Sequence, residues 1–271
     1  MSTNDKLKKI TVPAIRQMKK NGEKISALTA YDHLMARMLD EAGLDIILVG
    51  DSVGMVMTGF ETTIPVTMDM MLYHTAAVRR GVQRALLVAD MPFMSYQVNA
   101  DTAVRNAGRF LQEAGAEAVK LEGGEAVSEA VHRLVSYGIP VMGHLGLTPQ
   151  SINQFGGYIV VGKEDKTADL LLTNAMILEQ AGIFALVLEK IPAVLAKEIT
   201  RKLKIPTIGI GAGKYCDGQV LVTYDMLGMF ERFQPKFARR YANLAEVMRT
   251  AFTQYHKDVK SGLFPNDDES Y

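Results

Sequence analysis

The chain has 271 residues, 48% of them hydrophobic, and its 30 basic and 30 acidic side chains cancel. That balance leaves no field for nucleic acid or anionic lipid, and a single cysteine, Cys216, excludes an intrachain disulfide framework and fits a reducing compartment. No apolar run reaches the ~18 residues of a membrane span. Met1 to Lys9 carries Lys6, Lys8 and Lys9 with no apolar stretch behind them, so it does not read as a secretory signal. Asp5 is the only acid before Glu23, which leaves a transit peptide open; the expectation is a cytoplasmic protein.

Thr11-Val12-Pro13 reads as a helix start and Asn21-Gly22 as its stop, with Arg16, Lys19 and Lys20 expected on a solvated face. A first strand, Ile25 to Tyr31, leads to a helix closed by Gly43. Further strands are expected near 46–51, 85–90, 118–122, 139–144, 185–189, 205–210 and 219–224. Apolar helical stripes lie between most of them: Met68 to Arg80, Ala100 to Ala114, Ala126 to Tyr137, Ala168 to Ala181 and Ala193 to Leu203. Gly81, Gly115, Gly138 and Gly182 sit where helix C-caps belong.

Eight strands alternating with helices over ~250 residues suit a closed (β/α)8 barrel, with an open doubly wound sheet as the alternative. No composition break marks a linker, so one barrel domain is expected over 1–271, with an N-terminal helical segment at 1–24 and a tail at 262–271. After the last strand, Phe237, Tyr241, Leu244, Met248, Phe252, Tyr255 and Val259 recur at helical spacing up to Gly262 and Pro265. That reads as the last barrel helix with an extension, or as an oligomer contact.

Four apolar strands each end on an acid: Ile46 to Asp51, Leu86 to Asp90, Ala118 to Glu122 and Ala185 to Glu189. Alternation pairs Asp51 with Val49, Asp90 with Val88, Lys120 with Glu122, His144 with Met142 and Glu189 with Val187. The barrel interior is then apolar low down and carries Asp51, Asp90, Lys120, Glu122, His144 and Glu189 at its carboxyl rim, where active sites of this fold lie. Taken singly, an acid at a strand end is often a helix cap, Lys120 and Glu122 make an ordinary ion pair, and His144 is an ordinary core histidine. Together, four carboxylates against one lysine leave excess negative charge in a desolvated mouth. A hard divalent cation such as Mg²⁺ beside a small oxyanionic substrate answers that excess.

Ile208-Gly209-Ile210-Gly211-Ala212-Gly213-Lys214 invites a phosphate-loop reading but lacks the P-loop pattern, since Tyr215 follows the lysine. A glycine-rich rim after strand seven also allows close backbone approach to any ligand. Cys216 has no nearby histidine or second cysteine, and the sixteen methionines read as adaptable core filling. The segment from His144 to Glu189, through Gly146-Leu147-Thr148-Pro149-Gln150-Ser151 and Phe155-Gly156-Gly157-Tyr158, is too long for a simple connection and reads as a lid or a contact with a neighbouring subunit.

Gly50-Asp51-Ser52-Val53-Gly54-Met55, Tyr73-His74-Thr75-Ala76-Ala77-Val78-Arg79-Arg80, Lys120-Leu121-Glu122-Gly123-Gly124, Gly143-His144-Leu145-Gly146-Leu147-Thr148-Pro149-Gln150 and Ile208-Gly209-Ile210-Gly211-Ala212-Gly213 resemble the ketopantoate hydroxymethyltransferase family, in order and over nearly the whole chain. The resemblance implies a (β/α)8 TIM barrel of the phosphoenolpyruvate/pyruvate type, Mg²⁺-dependent and homodecameric. It implies transfer of a one-carbon unit from 5,10-methylenetetrahydrofolate to 3-methyl-2-oxobutanoate through a metal-stabilised enolate, giving 2-dehydropantoate for pantothenate synthesis. Carried over by position, Asp51 and Asp90 ligate the metal, Glu122 does so directly or through water, and Ser52 and Lys120 hold the substrate carboxylate. Glu189 matches the general base, and His144 a substrate or supporting contact. A carboxylate on a partly desolvated rim suits a base that works near neutral pH. Phe155 and Tyr158 are candidates for a folate surface. Only Glu231-Arg232-Phe233-Gln234, before Pro235, looks less typical of the family.

Two rival readings stand beside this one. A carbon–carbon lyase or phosphonomutase of the isocitrate lyase superfamily would use related chemistry without folate, but those lyases carry a cysteine after strand five, where this chain has Gly143-His144-Leu145-Gly146. The other rival is a catalytically silent barrel that binds an oxo acid, against which the retained Glu189 argues.

Overall fold

Strands that are apolar on both faces need cover on both, and eight parallel strands closed on themselves supply it. The computed structural model describes residues 8–231 and 235–271. Residues 1–7, which hold Asp5 and Lys6, and Arg232, Phe233 and Gln234 lie outside the described residues. The chain divides into two compact units, Met1–Leu221 and Val222–Tyr271.

The first unit runs α1 (Val12–Asn21), β1 (Ile25–Thr29), α2 (His33–Glu41), β2 (Ile46–Val49), α3 (Val53–Val56), α4 (Met68–Arg79), β3 (Leu86–Asp90), α5 (Ala100–Gln112), β4 (Ala118–Glu122), α6 (Ser128–Ser136), β5 (Val141–Gly146), α7 (Ile152–Phe155), α8 (Asp165–Ala181), β6 (Ala185–Glu189), α9 (Ala193–Lys202), β7 (Thr207–Ile210) and β8 (Gly218–Leu221). Each strand pairs in parallel with the next, and β8 returns to β1 through Ile25 opposite Gly218 and Ala27 opposite Val220. The closed barrel is the one expected. Some strand ends differ: β5 and β7 begin only after Pro140 and Pro206, whose nitrogens have no hydrogen to donate, and β8 stops at Leu221 rather than continuing to Tyr224.

Alternation sorts the side chains. Ile46, Leu48, Leu86, Val88, Met142 and Val187 belong to one buried cluster with Ala118, Ala185, Ile208 and Val220, which is the barrel interior. Ile47, Leu87, Val119 and Leu186 are equally buried on the other face. This corrects one expectation. The inward residues of β2 are Ile46 and Leu48, so Val49 faces outward and Asp51 does not reach the mouth by alternation with it. The strand ends at Val49, and a turn through Gly50 carries Asp51 inward.

The amino-terminal end of the barrel is closed by α1. Thr11 caps it, accepting a hydrogen bond from the Ala14 amide, and Gly22 ends it in the left-handed conformation. Ile10 and Ile15 join the interior cluster beside Phe184. Arg16 and Lys19 are not simply solvated, as expected from sequence. Arg16 donates to the Ile183 carbonyl at 3.2 Å, and Lys19 donates to the Thr200 carbonyl and to Asp217, both at 2.8 Å. Their length lets them reach the segments before β6 and β8 and the last turn of α9.

The second unit holds α10 (Thr223–Met226) and α11 (Leu244–Ser261). The long helix begins at Leu244 and not at Phe237, because the preceding backbone is bonded elsewhere: Ala238 closes a turn on the Pro235 carbonyl, and the Tyr241 amide donates to Met226. The apolar stripe Val247, Met248, Phe252, Tyr255 and Val259 is present, and these side chains are exposed.

Because Ile15 is fully buried in the barrel floor, Ile15→Ala is expected to cost about 2–5 kcal/mol of stability. Urea unfolding measures it, and a loss below about 1 kcal/mol would show that α1 does not seal the barrel.

Candidate active site

All six charged groups expected at the rim come from the carboxyl ends of β2 to β6, and the structure joins them in one network. Asp90, Lys120, Glu122, His144 and Glu189 lie on the strands themselves, in register: Asp90 opposite Lys120, and Glu122 opposite His144. The Asp51 backbone amide donates to Asp90 Oδ2 at 3.1 Å. Lys120 Nζ stands 3.1 Å from Asp90 Oδ1 and 3.3 Å from His144 Nδ1. His144 then reaches two carboxylates, Glu122 Oε1 from Nδ1 at 3.3 Å and Glu189 Oε2 from Nε2 at 3.4 Å. Ser52 stands beside Asp51 at the start of α3, its hydroxyl 2.8 Å from the Tyr31 hydroxyl.

Burial sets the electrostatics. Asp51, Asp90, Lys120, Glu122 and His144 are each 3–5% exposed. Desolvation, then repulsion from Asp90 and Glu122, pushes the Asp51 carboxyl up to about 8, against the opposing pull of Lys120 and Gln150. Asp90 is also raised, by burial, with Lys120 opposing. Glu122 is lowered: burial works against this, but the close, charged contact with His144, together with Lys120 and the Gln150 backbone amide, outweighs it. For His144, burial and Lys120 favour the neutral ring, yet its contacts with Glu122 and Glu189 raise it to about 9. Asp90 Oδ1, Glu122 Oε1 and His144 Nε2 are buried and their close neighbours stand outside hydrogen-bond alignment, so these atoms have no hydrogen-bond partner. The Glu189 side chain is 14% exposed and is the most accessible carboxylate of the network.

Sequence reasoning did not single out Gln150 or Tyr96 as site residues. Gln150 enters from the turn after β5 and donates from Nε2 to Asp51 Oδ2 at 2.9 Å. The Tyr96 hydroxyl, from the loop after β3, lies 2.7 Å from Gln150 Oε1 and accepts from the Glu122 amide at 3.0 Å. Pro149 in a segment following an apolar strand was the only signal for the turn. The glycine at 146 is a requirement of the site. It sits at φ +96°, and a Cβ there would meet the Glu189 carbonyl oxygen at 2.1 Å. The glycine-rich segment after β7 is explained by packing, since a Cβ on Gly213 would meet the Ala193 Cβ at 2.5 Å.

The long segment before α8 lies near this mouth. The Tyr158 hydroxyl donates to Met55 Sδ at 3.4 Å, and Lys190, next to Glu189, donates to the Tyr158 carbonyl. Burial and the charges of Glu189 and Asp51 raise the Tyr158 phenol. Ile159 and Val160 follow it as exposed apolar residues. Cys216 is buried beside β8, with its thiol raised by burial.

Asp51 and His144 make the fold pH-sensitive with the same sign. A raised folded-state pKa gives stability that is fully present below the ordinary value and lost as pH rises through the folded one. Asp51's share therefore fades from pH 3.8 to about 8, and that of His144 from 6.5 to about 9. Without divalent cation, the thermal midpoint should fall between pH 6.5 and 9, and less so in His144→Asn. A flat profile in scanning calorimetry would contradict the buried pairing.

Comparison with known proteins places this geometry in a family. The model of the ketopantoate hydroxymethyltransferase family matches residues 9–267. A 3-methyl-2-oxobutanoate hydroxymethyltransferase of Syntrophus aciditrophicus is 60% identical over 271 residues, all of both chains. Those of Chlorobium phaeobacteroides and Cytophaga hutchinsonii are 55% and 56% identical, covering 100% and 98% of this chain and 99% and 97% of theirs. Among solved structures, a putative phosphonomutase from Burkholderia cenocepacia superposes with TM-score 0.63 at 14% identity, covering 93% of this chain and 98% of its own. A 2,3-dimethylmalate lyase of the PEP mutase/isocitrate lyase superfamily gives 0.60 at 16% identity, covering 96% and 91%. The solved structures share the barrel; the sequence matches go further, and by them the chain belongs to the ketopantoate hydroxymethyltransferase family.

Proposed function

We propose that this chain transfers a hydroxymethyl group from 5,10-methylenetetrahydrofolate to 3-methyl-2-oxobutanoate, giving 2-dehydropantoate for pantothenate biosynthesis. Identity of 55–60% to relatives that carry the hydroxymethyltransferase name supports the activity. The observation that carries the mechanism is the arrangement of Glu189, partly exposed, behind a buried group of three acids, a lysine and a histidine.

The donor set fits Mg²⁺. It offers hard carboxylate oxygens, and it has buried oxygens on Asp90 and Glu122 that accept no hydrogen bond. Among the described residues no three His, Cys, Asp or Glu side chains form a ready-made cage. Mg²⁺ keeps several waters and takes one or two carboxylates. In this reading Asp51 and Asp90 hold the ion directly and Glu122 acts through water. The ion, when bound, supplies Lewis-acid polarisation of the substrate's keto oxygen.

The chain's own groups do the rest. Lys120 and Ser52 hold the substrate carboxylate. Glu189 takes the C3 proton, the electron pair of the broken C–H bond moves toward the keto group, and C3 becomes the nucleophile toward the folate methylene carbon. Both C–N bonds of that carbon break in turn, water supplies the hydroxyl, and the C3 proton and the proton left by the water end on the two folate nitrogens. His144, 3.4 Å from Glu189, orients that base. The apolar surface around Phe155 and Tyr158 takes the folate, and Lys190 holds the Tyr158 backbone over the mouth. Among the described residues no helix is long and apolar enough to cross a membrane, and we read the protein as a cytoplasmic homo-oligomer, a decamer by family resemblance.

Exchange of the C3 proton of 3-methyl-2-oxobutanoate into deuterated water tests this reading. Mg²⁺-dependent exchange is expected, with folate required only for product. Exchange with no folate-dependent product would favour a lyase, and absence of exchange a silent barrel. Glu189→Gln should abolish exchange while the oxo acid still binds; lost binding would move Glu189 out of the base role. Asp90→Ala should raise the Mg²⁺ requirement at least tenfold, and an unchanged metal titration would remove Asp90 from the ligands.

A further inference from the structure

Gln150 is nearly fully buried although it lies on a loop turn, and every hydrogen-bonding atom of its side chain is in use. Nε2 donates to Asp51 Oδ2 and to the Met91 carbonyl, both at 2.9 Å. Oε1 accepts from the Tyr96 hydroxyl at 2.7 Å and from Gln97 Nε2 at 3.0 Å. Two donors and two acceptor positions are all that a side-chain amide has. The amide orientation is therefore fixed by its partners: turned over, its oxygen would face a carboxylate and a carbonyl. The Gln150 backbone amide adds a fifth bond, to Glu122 Oε2 at 3.0 Å. One residue thus holds an oxygen of Asp51, from the end of β2, and an oxygen of Glu122, from the end of β4, and leaves Glu122 Oε1 without a hydrogen bond.

We propose that Gln150 is a positioning residue for the cation site: it fixes the spacing of Asp51 and Glu122 and commits one oxygen of each carboxylate to itself, so that the others face the ion. The proposal rests on the cation reading given above. Like charges in a dry mouth drive Asp51 and Glu122 apart, and an uncharged donor bonded to both holds them without consuming the negative charge that the ion needs. A lysine in the same place would compete with the ion.

The test uses the full-length protein and Mn²⁺ or Mg²⁺ alone as probe, titrated by the electron paramagnetic resonance of free Mn²⁺ and by calorimetry, without substrate. Gln150→Met keeps length and volume and removes the four side-chain bonds. It is expected to weaken cation binding about 10- to 100-fold, and raising Mg²⁺ should restore C3 exchange toward the wild-type rate. Gln150→Glu adds a carboxylate. If total negative charge alone set the affinity, this variant would bind more tightly; positioning predicts weaker binding. Wild-type affinity in Gln150→Met, tighter binding in Gln150→Glu, or an exchange defect in folded Gln150→Met that no Mg²⁺ concentration relieves would each overturn the proposal. A wild-type protein that binds neither cation would instead remove the cation reading itself, and this inference with it.

Discussion

Lys120 is the group on which the site depends. Its ammonium is buried between Asp90 and His144, at 3.1 and 3.3 Å, where an isolated charge would not persist. It does persist because Asp90, Glu122 and Asp51 together raise its affinity for the proton above its ordinary value, despite the burial that opposes this. The same lysine opposes the desolvation that raises the Asp90 carboxyl. Neither charge is stable alone, so the barrel mouth is built as a unit.

The barrel makes that unit possible by geometry. Closed pairing fixes Asp90 opposite Lys120 and Glu122 opposite His144, so four charged groups meet across three adjacent strands without a long loop to order. Below them the interior is wholly apolar, and α1 closes its far end with Ile10 and Ile15. Water is kept from the lower side, which strengthens every electrostatic contact above. The gap left between Asp51 and Glu122 is spanned by Gln150, and the approach of β5 to β6 that sets Glu189 requires a residue with no side chain at 146.

How much of this could be read from the sequence follows the physics of each part. Strands buried on both faces write themselves as apolar runs, and an acid at the end of such a run is conspicuous, so the eight-fold repeat and the rim residues Asp90, Lys120, Glu122, His144 and Glu189 were legible. Asp51 was found for an incomplete reason. Alternation holds only inside a strand, and β2 has ended two residues earlier, so its inward path depends on the turn at Gly50. Arg16 and Lys19 looked solvated because nothing local shows that a long side chain will find a carbonyl far along the chain. Gln150 and Tyr96 had no pattern to betray them: a polar residue on a loop is ordinary until its partners are known. Apolar spacing continues through Phe237 and Tyr241 and so places the start of α11 too early, since the Tyr241 amide bonds to Met226.

The charge count explains why these groups tolerate one another and what they await. His144, raised to about 9 by its contacts with Glu122 and Glu189, carries positive charge at neutral pH and stands 3.3 Å from the one carboxylate and 3.4 Å from the other. Lys120 and His144 then offset two of the four carboxylates. Asp51, at about 8, relieves part of the remainder by holding a proton. A divalent ion would replace that proton and cancel the last two charges, leaving the mouth neutral. On the proposed reading, an oxo acid entering such a mouth would bring its single negative charge to Lys120 and Ser52 without repulsion from the acids. The charge that would develop as its C3 proton leaves would then meet fixed positive groups rather than water, which is the condition under which preorganised electrostatics lowers a barrier most.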